Sequence, residues 1–304
     1  MGSSTWSNDA YTHLKKDYST KTTAQIFTSN RLNKDLNPNG VKFRESRDSD
    51  VHPNSIAIAV YLDVTGSMGS IPDYLVRNKL GLLMNTLIAH DVPDAHVLFG
   101  GIGDHYTDEA PLQVGQFEAG TDELNDCLTK IYLEGGGGGQ NMESYSLAWL
   151  FASRHTSIDC FEKRQQKGFL FTIGDEAVHP TIEKTRLKEL LGYGFGEDVS
   201  TEHLLAEAQR MYEVFHLQIT QTSTGSAPVI LKKWQELLGE RVIIVKDYEN
   251  IAEIIASTVA VVLGANLQKI TAGFDTKTSN QVTTALAKVS SSIAVKQKEG
   301  IIAL

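Results

Sequence analysis

The sequence predicts an α/β fold built on a doubly wound, mostly parallel six-stranded sheet, and three observations carry that reading. Ser55 to Leu62 is a run of small and β-branched apolar residues that ends abruptly at Asp63, as a buried strand of a parallel sheet would. From residue 55 onward, strand-like and helix-like segments alternate, which is the pattern of parallel strands joined by crossover helices. A second apolar run, Gly168 to Ile173, again stops at an acid, so two strands deliver carboxylates to the same kind of boundary. The core domain is expected over 55–264, between an N-terminal arm (1–54) and a C-terminal tail (265–304).

In chain order, the arm offers helix-like segments at Asp9–Tyr18 and Thr23–Leu32, a turn at Asn37-Pro-Asn-Gly40 and a dense mix of charges from Arg44 to Asp50. A solvated linker is the expectation there, with an arm packed on its own domain or on a neighbour as the alternative. After the first strand, Ser70-Ile-Pro72-Asp73 reads as a capping box with proline in the first turn. Val76, Leu80, Leu83, Met84 and Leu87 then form one helical stripe to about His90. Strands are expected at Ala95–Gly101, Leu112–Phe117, Val214–Ile219 and Arg241–Val245. Helices are expected from Thr121 as cap to Ile131, after Tyr145 to Arg154, and over Thr181–Leu191. Further helices are read from Ser200 as cap to Arg210, over Ala227–Leu238, and from Asn250 with Glu253 as its capping partner. In the tail, Val282, Leu286, Val289 and Ile293 recur at helical spacing before the apolar end Ile301–Leu304, so it either stays floppy or folds back onto the domain or a partner.

Composition narrows the class. At 41% hydrophobic and 21% charged, the 304 residues are ordinary for a globular protein. A net charge of -9 without basic-aromatic interleaving argues against nucleic acid and suits a cation. No stretch has the length of a membrane span, and the N-terminus lacks the charged and apolar regions of a secretory signal. Cys127 and Cys160 stand far apart without metal spacing, so free thiols and a cytoplasmic location are expected. No internal repeat and no Gly-x-Ser-x-Gly nucleophile elbow occurs.

The chemistry concentrates after the first strand, where Asp63-Val-Thr65-Gly-Ser67 gathers a carboxylate and two hydroxyls at the carboxyl edge of the sheet. Open α/β sheets bind ligands at that edge. Oxygen-only donors favour a hard cation, Mg²⁺ with Mn²⁺ or Ca²⁺ as substitutes, over zinc. Gly135 to Gly139 is a run of five glycines able to approach a ligand closely. It lacks the Gly-Lys-Ser/Thr ending of a phosphate loop, and a flexible spacer is the reading its composition offers. Asp175 follows the strand 168–174, with Glu176 as reserve, and Asp104 ends the strand 95–101 close enough to act behind the ligands. Of the nine histidines, His90, His96 and His216 read as structural. His105 and His179 follow acids at the strand ends and could line the site.

Asp63-x-Thr65-x-Ser67 resembles the first motif of the von Willebrand factor A family, whose metal-ion-dependent adhesion site begins Asp-x-Ser-x-Ser. The resemblance spans about residues 55–264 and implies a Rossmann-like sheet. It implies that Thr65 and Ser67 ligate Mg²⁺ directly and that Asp63 and Asp175 act directly or through water. The family's glycine loop brings a threonine to the metal. Here that residue is missing and Gln140, Asn141, Glu143 and Ser144 are its possible replacements, Asn141 and Glu143 above the others. A partner protein's Asp or Glu would complete the shell. Family members inside cells often work beside AAA+ ATPases or in multi-protein complexes, and the arm and tail offer further surfaces for self-assembly.

The rival reading is an enzyme. Asp63-Val-Thr-Gly-Ser67 also resembles the Asp-Lys-Thr-Gly-Thr of haloacid-dehalogenase-like phosphoryl-transfer proteins, with Asp63 as nucleophile. Val64 in place of lysine, and the helix that follows at once, weigh against it.

Overall fold

The computed structural model describes residues 4–135 and 141–298, the last six of these by their backbone alone. Twelve strands alternate with thirteen helices among them. The arm contains α1 (Asn8–Tyr18), α2 (Thr23–Ile26) and β1 (Arg44–Ser46). Next come β2 (Ile56–Asp63), a 3₁₀ turn at Gly66–Met68, α3 (Ile71–Asn78), α4 (Leu80–Ala89), β3 (Ala95–Ile102), β4 (Leu112–Val114) and α5 (Thr121–Thr129). The middle holds β5 (Met142–Glu143), α6 (Tyr145–Arg154), β6 (Thr156–Ile158), α7 (Asp159–Glu162), β7 (Gly168–Gly174), β8 (Ala177–Val178) and β9 (Thr181–Ile182). The remainder is α8 (Lys184–Leu191), β10 (Val199–Ser200), α9 (Thr201–Ala208), β11 (Tyr212–Ile219), α10 (Pro228–Leu238), β12 (Val242–Val245), α11 (Ile251–Val262), α12 (Leu267–Thr271) and α13 (Thr276–Lys298).

The main sheet has six strands in the order β12-β11-β7-β2-β3-β4, parallel except for β4, which runs antiparallel to β3. All eight residues of β2 are buried, as expected of a central strand covered on each side. From β2 the chain turns to β3 on one flank and later returns to β7 on the other, so the strand order reverses between β2 and β7. Such a reversal leaves a crevice at the carboxyl ends of the two strands, and both ends carry an aspartate. Helix α4 packs with α11, and α6 with α9. Val60, Leu62, Phe99 and Ile173 from the sheet meet Leu80, Leu83 and Ile255 from the first group of helices.

Several local expectations are corrected. The helix expected to Leu32 ends at Ile26, because Ile26 and Phe27 turn into the core and Phe27 is extended (φ -88°, ψ 95°). The single helix expected to His90 is two, meeting at Lys79 (φ -118°, ψ -16°), whose ammonium pairs with the buried Glu253 at 2.7 Å. Ser70 makes no side-chain cap, and Asp73 pairs instead with Arg77 at 2.7 Å. Asn250 stands at the N-cap of α11 as expected but makes no side-chain cap; its amide donates to Gln281 instead, and Glu253 pairs with Lys79. Thr121 lies inside α5, its hydroxyl bonded to the backbone of Ser7, and Thr181–Ile182 pairs with β10 before α8 begins.

The arm is no solvated linker. Strand β1 pairs in parallel with β6, and Tyr18, Ile26, Phe27 and Leu36 join the core. The charges of Arg44–Asp50 face opposite charges: Arg47 bonds Asp159 at 2.8 Å and Glu162 at 2.7 Å, and Asp48 meets Arg164 at 2.6 Å. The tail folds back as α12 and α13, burying Leu267, Ile270, Val282, Leu286 and Val289. Both edges of the sheet are covered by these segments. Leu36 O accepts the Val114 N–H of β4 at 2.8 Å, and α13 lies against β12. Cys127 and Cys160 are buried free thiols. Among the described residues no helix is long and apolar enough to cross a membrane. The glycines 136–139, Gln140, the Ile293 side chain and Ile301–Leu304 lie outside the described residues.

Candidate functional site

The site is built by the turn after β2. Asp63 is fully buried; its Oδ1 accepts the Thr65 N–H at 2.9 Å and the Thr65 hydroxyl at 2.6 Å. An aspartate that bonds the backbone two residues on stabilises this kind of tight turn. Thr65 Oγ1 stands 3.3 Å from Ser67 Oγ, which donates to Asp175 Oδ1 at 2.8 Å. One chain of contacts thus runs from the end of β2 to the end of β7. Ser67 is exposed, so the chain surfaces at its rim. Gly69, at φ 51°, closes the turn in a conformation that favours glycine.

Asp63 Oδ2 accepts the Tyr145 hydroxyl at 2.9 Å. That contact depends on Gly174, where a Cβ would overlap the hydroxyl. Tyr145 is wedged edge-on against His216 and Trp234, whose rings stack 3.5 Å apart. Gln218 Nε2 donates to Asp175 O at 3.0 Å, and Trp234 Nε1 to Glu176 O at 2.8 Å, so the backbone after β7 is held by β11 and α10. Both oxygens of Asp63 are therefore occupied by donors, which suits a fixed anion better than an attacking nucleophile.

Glu143 arrives from another direction. Strand β5 pairs with β8 in the register Glu143↔Val178, and the carboxyl is buried. Its Oε2 has no hydrogen-bond partner, and neither has Asp175 Oδ2. Burial, and next the charge of Asp63, push Glu143 far above the usual carboxylate range. Asp63 is raised by burial despite its three donors, with Asp175 adding to the rise. Half-buried Glu176 is pushed up to about 7 by burial and then by Asp175 and Asp63. Among the described residues, none of Asp63, Glu143, Asp175 and Glu176 forms an ion pair. Concentrated buried carboxylates with unpaired oxygens are costly unless protons or a cation neutralise them.

The donor set fits a hard cation. The ligand atoms that Asp63, Thr65, Ser67 and Asp175 offer are all oxygen, and the successive contacts among them measure 2.6, 3.3 and 2.8 Å. Neighbouring oxygens of an octahedral shell ~2.1 Å in radius stand roughly 3 Å apart.

Of the residues expected from sequence, Asp63, Thr65, Ser67 and Asp175 are brought into contact, and Glu143 is linked to them only through the charge of Asp63. Asp175, rather than Glu176, meets Ser67. Among the described residues Asn141 is not joined to the others: it is exposed at φ 53°, and its carbonyl accepts the Ala177 N–H at 3.2 Å. Ser144 is turned away toward His105, whose N–H it accepts at 2.9 Å. Tyr145 escaped sequence reasoning because, at the head of an apolar helix, it reads as packing.

A second polar cluster lies behind Glu143. Asp104, His105 and His179 are all buried, with one possible ligand atom from each within 4.8 Å of the others. His179 Nε2 stands 2.9 Å from Asp104 Oδ1, and His105 Nδ1 is 2.7 Å from Ser144 Oγ and 3.9 Å from Asp104 Oδ1. Burial, and then His179, hold His105 below the usual imidazole range.

No protein-family profile and no curated protein matches the sequence. Among solved structures, the pilus adhesin SpaC from Lactobacillus rhamnosus GG in its open conformation is 12% identical over 70% of this chain and 31% of that one, at a TM-score of 0.43. A second form of that adhesin gives 11% identity over 71% and 31%, at 0.44. Proximal thread matrix protein 1 from the mussel byssus gives 10% over 67% and 45%, at 0.41. This chain spans less than half of each of those chains, and likenesses at these scores assign neither fold nor function.

Proposed function

We propose that this chain is a metal-dependent protein-interaction module of the von Willebrand factor A type, its doubly wound sheet carrying one Mg²⁺ at the crevice between β2 and β7. The observation that carries the reading is the run of oxygen contacts from Asp63 through Thr65 and Ser67 to Asp175, beside two buried carboxylate oxygens with no donor. Thr65 and Ser67 would ligate the ion through their hydroxyls. Asp63 and Asp175 would act directly or through water, and Glu143 would take the place of the family's loop threonine. Mn²⁺ or Ca²⁺ could substitute.

The bound ion supplies an electron-poor centre at the exposed Ser67 rim. A partner's Asp or Glu reaching it gains far more from a partly desolvated divalent ion than from a surface salt bridge. An acid-presenting protein is therefore the proposed partner, with an AAA+ ATPase or a larger assembly as the setting. Buried free thiols fit a reducing, cytoplasmic compartment.

Calorimetric titration of Mg²⁺ into the full chain tests this. One site per chain is expected, with affinity at least a hundredfold weaker in Asp63→Ala while circular dichroism stays unchanged. Equal affinity in the two proteins would remove the assignment. A pull-down in Mg²⁺ that loses its captured protein when chelator is added would establish the dependence on metal.

A further inference from the structure

We propose that Asp104, His105 and His179 form a second, chemically different metal site that takes a borderline transition-metal ion of the Zn²⁺ class. Two imidazoles and one carboxylate are the ligands such ions prefer, whereas the oxygen-only crevice suits Mg²⁺. The two sites therefore divide ions by softness.

The geometry names the ligand atoms. Asp104 Oδ1 lies 2.9 Å from His179 Nε2 and 3.9 Å from His105 Nδ1, distances that straddle the ~3.3 Å edge of a tetrahedral shell about 2.0 Å in radius. The other ring nitrogen of His105, Nε2, meets Glu183 Oε2 at 3.3 Å. A carboxylate that takes the far N–H of a ligating histidine fixes the tautomer and raises the basicity of the ligating nitrogen, as second-shell partners of zinc histidines do. Glu183 is itself clamped by the Tyr106 hydroxyl.

Asp104 is oriented in the same manner. Its Oδ1 accepts the Tyr106 N–H at 3.0 Å, and its Oδ2 accepts the Thr107 hydroxyl at 3.2 Å. The Ser144 hydroxyl, 2.7 Å from His105 Nδ1, holds that nitrogen in the metal-free chain, and an incoming ion would displace it. His105 also lines a cleft of about 310 Å³ with Asp108, Leu147 and Arg186, so the cluster is not sealed from solvent.

The inference does not rest on the Mg²⁺ reading and is tested separately. Zn²⁺ is titrated into tag-free full chain in competition with a chromophoric chelator, and Co²⁺ is titrated in parallel as a spectroscopic probe. The expected result is one Zn²⁺ per chain, with four-coordinate ligand-field bands for Co²⁺. His179→Gln should abolish both signals. Glu183→Ala, a change at a partly exposed side chain checked for folding by circular dichroism, should weaken Zn²⁺ about 10- to 100-fold. Asp63→Ala should keep the Zn²⁺ stoichiometry. Absence of stoichiometric Zn²⁺ in the wild type, full binding by His179→Gln, or loss of Zn²⁺ in Asp63→Ala would each overturn the proposal.

Discussion

Gly174 has its role because of what approaches it. With no Cβ there, the Tyr145 hydroxyl passes over the end of β7 and donates to Asp63 Oδ2. Gly174→Ala is expected to destabilise the protein by about 1–3 kcal/mol through overpacking, measured as a lower urea midpoint, and to weaken Mg²⁺ in the same sample by releasing Asp63. Unchanged stability would mean that the ring relaxes freely. Residues within one turn were readable from sequence: Asp63, Thr65 and Ser67 sit two apart, and local chain geometry alone gathers them. Asp175 could be read as well, because a strand end fixes its level. Tyr145 and Glu183 could not. Their partners lie 82 and 78 residues away, and nothing in local spacing reports such a meeting.

At the scale of elements, the junction of the arm with α7 shows how charge mixtures mislead. Arg47 and Asp48 read as solvated because the sequence displays them without their partners, but Asp159 accepts from both of them. Burial alone would raise Asp159; Lys163, the Asp48 N–H and Arg47 outweigh it and hold the carboxyl at about 2. Its folded-state value thus lies below the ordinary one. The stabilisation it provides is complete above about pH 4 and is lost as pH falls through about 2. Asp159→Asn is expected to cost about 1.5–3 kcal/mol at neutral pH, the range for hydrogen bonds to a charged group. The gap from wild type in thermal or urea melts should narrow below pH 4; a gap that stays constant to pH 2 would contradict this role. The split between α3 and α4 was not legible either, since the apolar stripe runs on through Lys79, whose partner Glu253 lies 174 residues away.

For the whole molecule, a mostly parallel α/β sheet was legible because alternation of period and the acids at strand ends survive in one dimension, whereas the order of its strands was not. What was not legible is that the terminal segments belong to the body. The tail's helical spacing was visible, and burial of Val282, Leu286 and Val289 explains it, yet spacing alone does not say which surface receives a helix. Leu286→Ala is expected to cost about 2–5 kcal/mol, as do buried leucines elsewhere, read from urea unfolding with Mg²⁺ absent. A loss below 1 kcal/mol would show that α13 is only loosely attached.

The covering of both sheet margins, β4 by the arm and β12 by α13, has a bearing on how the chain can be handled. A version trimmed to 55–264 would lose the Leu36 carbonyl that pairs with Val114 and the helix packed beside β12, opening both edge strands to strand-to-strand zippering. Such a fragment should scatter light and bind amyloid dyes at concentrations where the full chain remains clear, so the two ends serve as the sheet's own protection against coagulation.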